Sequence, residues 1–209
     1  MKIAIIGVGN VGGALAGTAT TAGHQVTLAA KDPSHAEKVA GDTGAQAAGS
    51  VADAAADADL IVLAVPGGAA ADVVRELGDA ASGKVLVDST NPLNDTYSDL
   101  TTRGTSNAEL LQSEAPDAHV VKAFNTIFAS RHGSPTEDGA PIDAFYAGDD
   151  AAAKGKVADL LQSLGFRPID AGGVRMSRTL EEMAFLNIAL NAGNGWAWQS
   201  AWRLAGPTG

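Results

Sequence analysis

The 209-residue chain has no cysteine. That excludes a disulfide framework, a zinc–thiolate site, a thiol nucleophile and a cysteine-ligated iron–sulfur cluster. Basic residues are scarce: 14 Lys+Arg face 24 Asp+Glu, a formal net charge of -10. Phosphate backbones and anionic membranes are met by clustered Lys and Arg, so neither nucleic acid nor a membrane surface is expected as a partner. The histidines His24, His35, His119 and His132 are scattered without HExxH or another ligand spacing, so no metal site is expected. Gly-x-Ser-x-Gly, the nucleophile elbow of many hydrolases, is missing. Long apolar runs are missing too. Leu60 to Pro66 has the length of a buried strand, far short of the roughly 20 residues that span a bilayer. Met1 to Gly17 is mostly apolar, but Gly7, Gly9, Asn10, Gly12 and Gly13 break the continuous helix a secretory signal needs. A cytoplasmic protein is expected.

What the chain does have is 25 glycines and 45% hydrophobic residues in alternating short runs. Lys2–Ile6, Gln25–Ala30, Ala45–Ala48, Leu60–Val65, Lys84–Asp88, His119–Ala123, Ala144–Ala147 and Arg167–Asp170 read as strands. Asn10–Ala22, Ser34–Gly41, Val51–Ala58, Ala69–Ala80, Ser106–Ser113 and Ala151–Leu164 read as helices, and Arg178 to about Trp202 as one long helix. Strands alternating with helices imply an α/β fold. The expected form is a Rossmann-type doubly wound, mostly parallel sheet with a small, mainly helical C-terminal part. Residues 1–125 are expected to form the dinucleotide-binding domain. Residues 126–209 are expected to extend the sheet and add helix, packed with it as one compact unit.

Gly7-Val8-Gly9-Asn10-Val11-Gly12 is GxGxxG placed after a strand and opening a helix. Gly7 makes the tight turn, Gly9 lets the backbone approach a pyrophosphate, and Gly12 lets the helix pack on the strand. The free N–H groups and the dipole of the helix N-terminus favour the anion. The next strand tip reads Ala30-Lys31-Asp32-Pro33. Ala30 cannot bind a ribose diol and Lys31 can pair with a 2′-phosphate, so NADP(H) is expected over NAD(H). Asp32 stands at a plausible NAD spacing, but the proline after it places it in the turn into the next helix.

Ligands in such sheets bind beyond the C-terminal strand ends. Val65 and Pro66 followed by Gly67-Gly68, Asn91 before Pro92, and Ala123-Phe124-Asn125-Thr126 therefore border the expected nicotinamide crevice. Asn91 reads as a ribose or amide ligand or as a turn asparagine. Asn125 and Thr126 read as partners of the carboxamide. Lys122 is expected to be structural rather than a catalytic acid. His132 lies in a glycine- and proline-containing loop, where a lid or proton-donor role is the minor reading. The apolar stripe Met183, Phe185, Leu186, Ile188, Leu190, Trp196, Trp198 and Trp202 reads as core or dimer interface, or in part as an acceptor-pocket wall.

Read in order, KIAIIGVGNVGGALA, VDSTNPL, VVKAFNTI and AGDDAAAKGKVADLLQSLGFRPIDAGGVRMSRTLE resemble the NADP-dependent oxidoreductases of the deazaflavin coenzyme F-420 family over nearly the whole chain. The KAFNT segment is also similar to the NADPH domain of six-transmembrane ferric reductases. The F-420 resemblance implies a Rossmann domain with a helical C-terminal part, a homodimer, and hydride transfer between NADP(H) and the deazaflavin. It places the pyrophosphate on Val8, Gly9, Asn10 and Val11. The family's 2′-phosphate pair, Ser or Asn followed by Arg, falls on Ala30 and Lys31, where a point charge replaces a planar fork.

Hydride transfer needs two ring carbons held about 3–3.5 Å apart in a dry slot, and the cofactors carry the reactivity. No catalytic acid–base side chain is therefore expected. Three readings stand: a reductase of the deazaflavin, an NADPH-dependent reductase of another acceptor (a flavin, a ferric chelate, a small imine or carbonyl), and a dinucleotide-binding module without turnover.

Overall fold

A computed structural model describes residues 1–206. The chain runs β1 (Lys2–Ile6), α1 (Asn10–Thr21), β2 (Gln25–Ala29), α2 (Pro33–Thr43), β3 (Gln46–Ala47), α3 (Val51–Ala55), β4 (Leu60–Leu63), α4 (Ala70–Leu77), β5 (Val85–Asp88), α5 (Asn107–Glu114) and β6 (His119–Ala123). A small hairpin, β7 (Thr136–Glu137) and β8 (Ala140–Pro141), precedes β9 (Asp143–Gly148), α6 (Ala151–Ser163), β10 (Arg167–Asp170) and α7 (Ser177–Asn194). The sheet order is β10-β9-β6-β5-β4-β1-β2-β3. From β3 to β6 this is the doubly wound order 3-2-1-4-5-6, all parallel, with its switch point between β1 and β4. β9 joins β6 antiparallel and β10 follows β9 in parallel. Among the described residues no helix is long and apolar enough to cross a membrane.

Strand periodicity sorts the core into two layers. Ile3, Ile5, Leu60, Val62, Val87 and Val121 meet α1, α2 and α6 through Leu15, Ala36 and Leu160. Ala4, Ile6, Ile61, Leu63 and Leu86 meet α3, α4 and α5 through Ala55, Val74 and Leu111. β4 and β5 are buried along their whole length, which is why β4 reads as a continuous apolar run and β5 as one up to the buried Asp88. A third, smaller cluster packs Leu180 of α7 on Phe145 and Ala147 of β9, with Met183 and Trp202 beside it.

Side chains cap most helix starts. Asp32 accepts from Ser34 N, Ser50 from Asp53 N, Ser106 from Glu109 N and Asp150 from Ala153 N. Ser106 Oγ in turn donates to Glu109 Oε2 at 2.8 Å, which ties the cap to the first turn of α5. The long final helix is shorter than its apolar stripe suggests. α7 stops at Gly195, whose φ of +64° is the left-handed conformation that ends helices. The segment beyond it folds back. Trp198 O accepts from Ser130 Oγ at 2.6 Å, and Trp202 O accepts from Asp143 N at 3.0 Å. Those tertiary bonds take carbonyls that a continued helix would have used internally.

Candidate functional site

The glycine turn is built by contacts that only glycine allows. Gly7 has φ +100° and donates its N–H to Ala29 O at 2.8 Å, tying the turn to the tip of β2. A Cβ on Gly12 would overlap Gly7 O, and one on Gly7 would overlap Ala64 O. A Cβ on Gly9 would meet nothing within 4 Å, so the turn is open on the side where a phosphate would approach. Gly9 is also the N-cap of α1 and supplies no side chain to its first-turn N–H groups, unlike the caps of α2, α3, α5 and α6. The acceptor missing there is what a pyrophosphate provides.

At the tip of β2, Ala30 is half-buried and Lys31 exposed. Asp32 is committed elsewhere. Its Oδ1 accepts from Ser34 N at 3.0 Å and Ser34 Oγ at 2.8 Å, and these bonds hold its carboxyl below the ordinary range. Lys31 is the exposed basic side chain at this strand tip.

The loops after β4 and β5 approach closely: a Cβ on Gly67 would lie 2.6 Å from Asn91 O and 2.9 Å from Pro92 Cα. This brings half-buried Val65 and exposed Pro66 beside Asn91. Asn91 is locked to the end of β6. Its Nδ2 donates to Asn125 O at 2.9 Å, while Asn125 Nδ2 donates to Asn91 Oδ1 at 3.0 Å and to Leu180 O at 2.9 Å. Phe124, just before, is held at φ +66°, an uncommon backbone conformation for a bulky residue.

A cavity of about 170 Å³ opens at these strand ends. One wall is Val11, Ser89, Asn91 and residues 124–129; the other is Ala184, Asn187 and Ile188 of α7. Two polar atoms of the first wall, Asn125 Oδ1 and Thr126 Oγ1, are buried without a hydrogen-bond partner. An acceptor and a hydroxyl left unspent beside a cavity suit the NH2 and C=O of a carboxamide. Ala123, expected at the site, is wholly buried in the core and is not part of the cavity lining. Val8 is likewise a core side chain under the turn. A larger cavity, about 570 Å³, lies at the opposite strand ends, lined by Lys2 and His24 as well as Asp53 and Asp57, away from the glycine turn.

Lys122 is structural. It is 0% exposed, the register partner of Asp88 in β5, and its Nζ donates to Asp88 Oδ2 at 2.9 Å, Thr90 O at 2.6 Å and Glu181 Oε1 at 2.7 Å. All three ammonium donors are spent. Glu181 also accepts from Asn107 N at 2.8 Å. Desolvation pushes the Glu181 carboxyl up, against the pull of Lys122. The cluster clamps β5, β6, α5 and α7 together behind the cavity. Arg178 adds a two-pronged pair with Glu109, at 2.8 and 2.7 Å.

His132 is neither lid nor proton donor. It is 0% exposed, packed between Phe124 (ring centroids 5.8 Å) and Phe166 (6.1 Å), and both ring nitrogens lack partners. Burial lowers its pKa to about 4. Its neighbours in sequence, Gly133 and Pro135, suggested an exposed loop; the aromatic side chains that enclose it come from elsewhere in the chain. The polar α7 residue Asn187 carried no sequence signal, because it sits inside a helical pattern whose facing wall comes from distant segments of the chain.

Comparison with known proteins agrees with this geometry. The family model described as NADP oxidoreductase coenzyme F420-dependent matches residues 2–92. The F420-dependent NADP reductase of Methanothermobacter thermautotrophicus is 32% identical, across 93% of this chain and 90% of that one. The rat metalloreductase STEAP3 is 29% identical, across 86% of this chain but 36% of its own length. A crystal structure of a putative F420-dependent NADP reductase from Arthrobacter sp. FB24 superposes with a TM-score of 0.89 at 33% identity, covering 99% of this chain and all of that one. With 32% identity over 93% of its length to a curated member, the chain belongs to the family of F420-dependent NADP oxidoreductases.

Proposed function

We propose that the protein is an oxidoreductase that transfers a hydride between NADP(H) and the deazaflavin coenzyme F-420. The observation that carries this reading is the cavity at the ends of β5 and β6, bounded by Val11 of the glycine turn's helix and by α7, with Asn125 Oδ1 and Thr126 Oγ1 unspent in its wall. Gly7, Val8, Gly9, Asn10, Val11 and Gly12 hold the pyrophosphate through backbone N–H groups. Ala30 leaves room beside Lys31, which pairs with the 2′-phosphate. Val65, Pro66 and Asn91 frame the nicotinamide ribose, and Asn125 and Thr126, just beyond β6, hold the carboxamide.

NADPH, when bound, supplies the hydride, and the deazaflavin ring takes it up. The chain's own residues position, enclose and polarise. Lys122 is unavailable as an acid because Asp88, Thr90 and Glu181 occupy its donors. The buried apolar wall of Phe124, Ile127 and Ala184 excludes water from the slot. Residues 1–125 serve as the cofactor-binding unit, and residues 126–209 complete the acceptor side. The exposed Leu186, Leu190 and Trp196 of the final helix and its end support a homodimer, and the acidic surface suits the cytoplasm.

A second reading, a flavin or ferric chelate as acceptor, is favoured by the similarity to the rat metalloreductase. The deciding experiment follows NADPH oxidation with the deazaflavin, with free flavin and a ferric chelate in parallel and NADH as donor control. Bleaching of the deazaflavin with NADPH supports the first reading. NADPH binding without deazaflavin turnover rejects it.

A further inference from the structure

α7 turns one polar side chain to the cavity. Ala184, Asn187 and Ile188 lie on one helix face, at i, i+3 and i+4, and Asn187 is 5% exposed. The oxygen end of its amide is fully engaged: Oδ1 accepts from Ser200 Oγ at 2.6 Å and from Asn191 Nδ2 at 3.2 Å. The nitrogen end is not. Nδ2 makes a single long contact, 3.4 Å to Ser200 O. A carboxamide nitrogen carries two hydrogens, so one donor remains beside the cavity.

The supports are themselves buried and connected. Asn191, one turn further along, is 1% exposed and donates to Asn187 O at 2.8 Å and Ser200 Oγ at 2.6 Å. Ser200 comes from the segment that folds back after Gly195. A buried polar network is costly where a member is left unpaired, and Asn191 Oδ1 is buried without a partner here. Here the network holds the Asn187 oxygen away from any ligand and leaves its donor free. The opposite wall offers the unpartnered acceptor Asn125 Oδ1 and the unpartnered hydroxyl Thr126 Oγ1. Asn187 Nδ2 is the free amide donor that α7 adds across from them.

We propose that Asn187 determines specificity for the hydride acceptor, its Nδ2 donating to a carbonyl oxygen on the edge of a planar heterocycle, with Asn191 and Ser200 as positioning residues. This rests on the reading of the protein as an NADPH-dependent reductase. A hydrogen-bonding site rejects an analogue lacking the matching group far better than an apolar wall does.

The test measures equilibrium binding of oxidised deazaflavin to the NADP⁺-loaded protein by deazaflavin fluorescence, with the NADPH Kd measured separately. Asn187→Ala raises the deazaflavin Kd about tenfold, the loss of one hydrogen bond. Asn187→Asp raises it further, by setting a carboxylate oxygen against the ring oxygen. Ser200→Ala, which leaves Asn187 in place, raises it by a smaller factor. The NADPH Kd stays within about twofold in all three, as a donor on the acceptor side requires. An unchanged deazaflavin Kd in Asn187→Asp overturns the proposal. So does an equal rise in the NADPH Kd, which would assign Asn187 to the dinucleotide. A wild-type protein that binds NADPH but not deazaflavin rejects the functional reading instead. The same variants are then titrated with free flavin, which has the same carbonyl edge, and an unchanged flavin Kd overturns the proposal.

Discussion

Asn91 and Asn125 hold each other by reciprocal amide bonds: Asn91 Nδ2 donates to Asn125 O at 2.9 Å and Asn125 Nδ2 to Asn91 Oδ1 at 3.0 Å. The pair joins the loops after β5 and β6 into one rim of the cavity. Asn91→Ala removes both bonds and leaves a buried carbonyl unpaired, which costs about 1–3 kcal/mol. The urea midpoint falls and NADPH binding weakens with it. An unchanged midpoint would mean the rim is held by other contacts.

Gly9 and Gly12 separate binding from folding. Gly9→Ala adds a methyl group in open space at φ -68°, so stability changes by no more than about 0.5 kcal/mol while NADPH affinity falls at least about tenfold. Gly12→Ala drives a methyl group into Gly7 O and costs about 3 kcal/mol or more. Thermal melts and NADPH titrations of the two variants check both halves.

Lys31 carries the proposed choice of NADP over NAD. Lys31→Ala raises the NADPH Kd about tenfold, the loss of one exposed charge-assisted bond, and leaves the NADH Kd unchanged. The wild-type NADPH Kd also rises with salt, more steeply than that of the variant. Equal losses for the two cofactors would remove Lys31 from the 2′-phosphate site.

Lys122 is required for the fold rather than for proton transfer. Lys122→Met strands Asp88 and Glu181 in the interior and costs about 3–5 kcal/mol. The double variant Lys122→Met/Glu181→Leu recovers part of that loss, because it removes one uncompensated carboxylate. Urea unfolding of both proteins measures the difference. A variant as stable as wild type but without turnover would reassign Lys122 to chemistry.

His132 makes the protein acid-sensitive. Burial holds its pKa at about 4 in the fold against 6.5 in the free chain, so the unfolded chain takes up a proton first as pH falls. Its contribution is fully present above pH 6.5 and is lost progressively down to about pH 4, about 3 kcal/mol in all. His132→Phe fits the same Phe124–Phe166 gap and flattens that slope. Unfolding free energies of the two proteins at pH 7 and pH 4.5 test this.

The sequence by itself determined the elements and their order. Runs such as Leu60–Leu63 declare a buried parallel strand, and the glycine turn declares its own geometry, because both depend on φ/ψ preferences and on side-chain periods within a dozen residues. That Asp32 belongs to the turn into α2 was legible for the same local reason, from the proline after it. The tertiary structure alone decided which polar groups are spent. Lys122 meets Glu181 across 59 residues, Asn91 meets Asn125 across 34, and His132 is enclosed by aromatics from two other segments. It also decided that helix α7 ends at Gly195 and that Asn187 faces the cavity. Such pairings form only when the closed sheet brings distant segments together, and no period within a single segment encodes them.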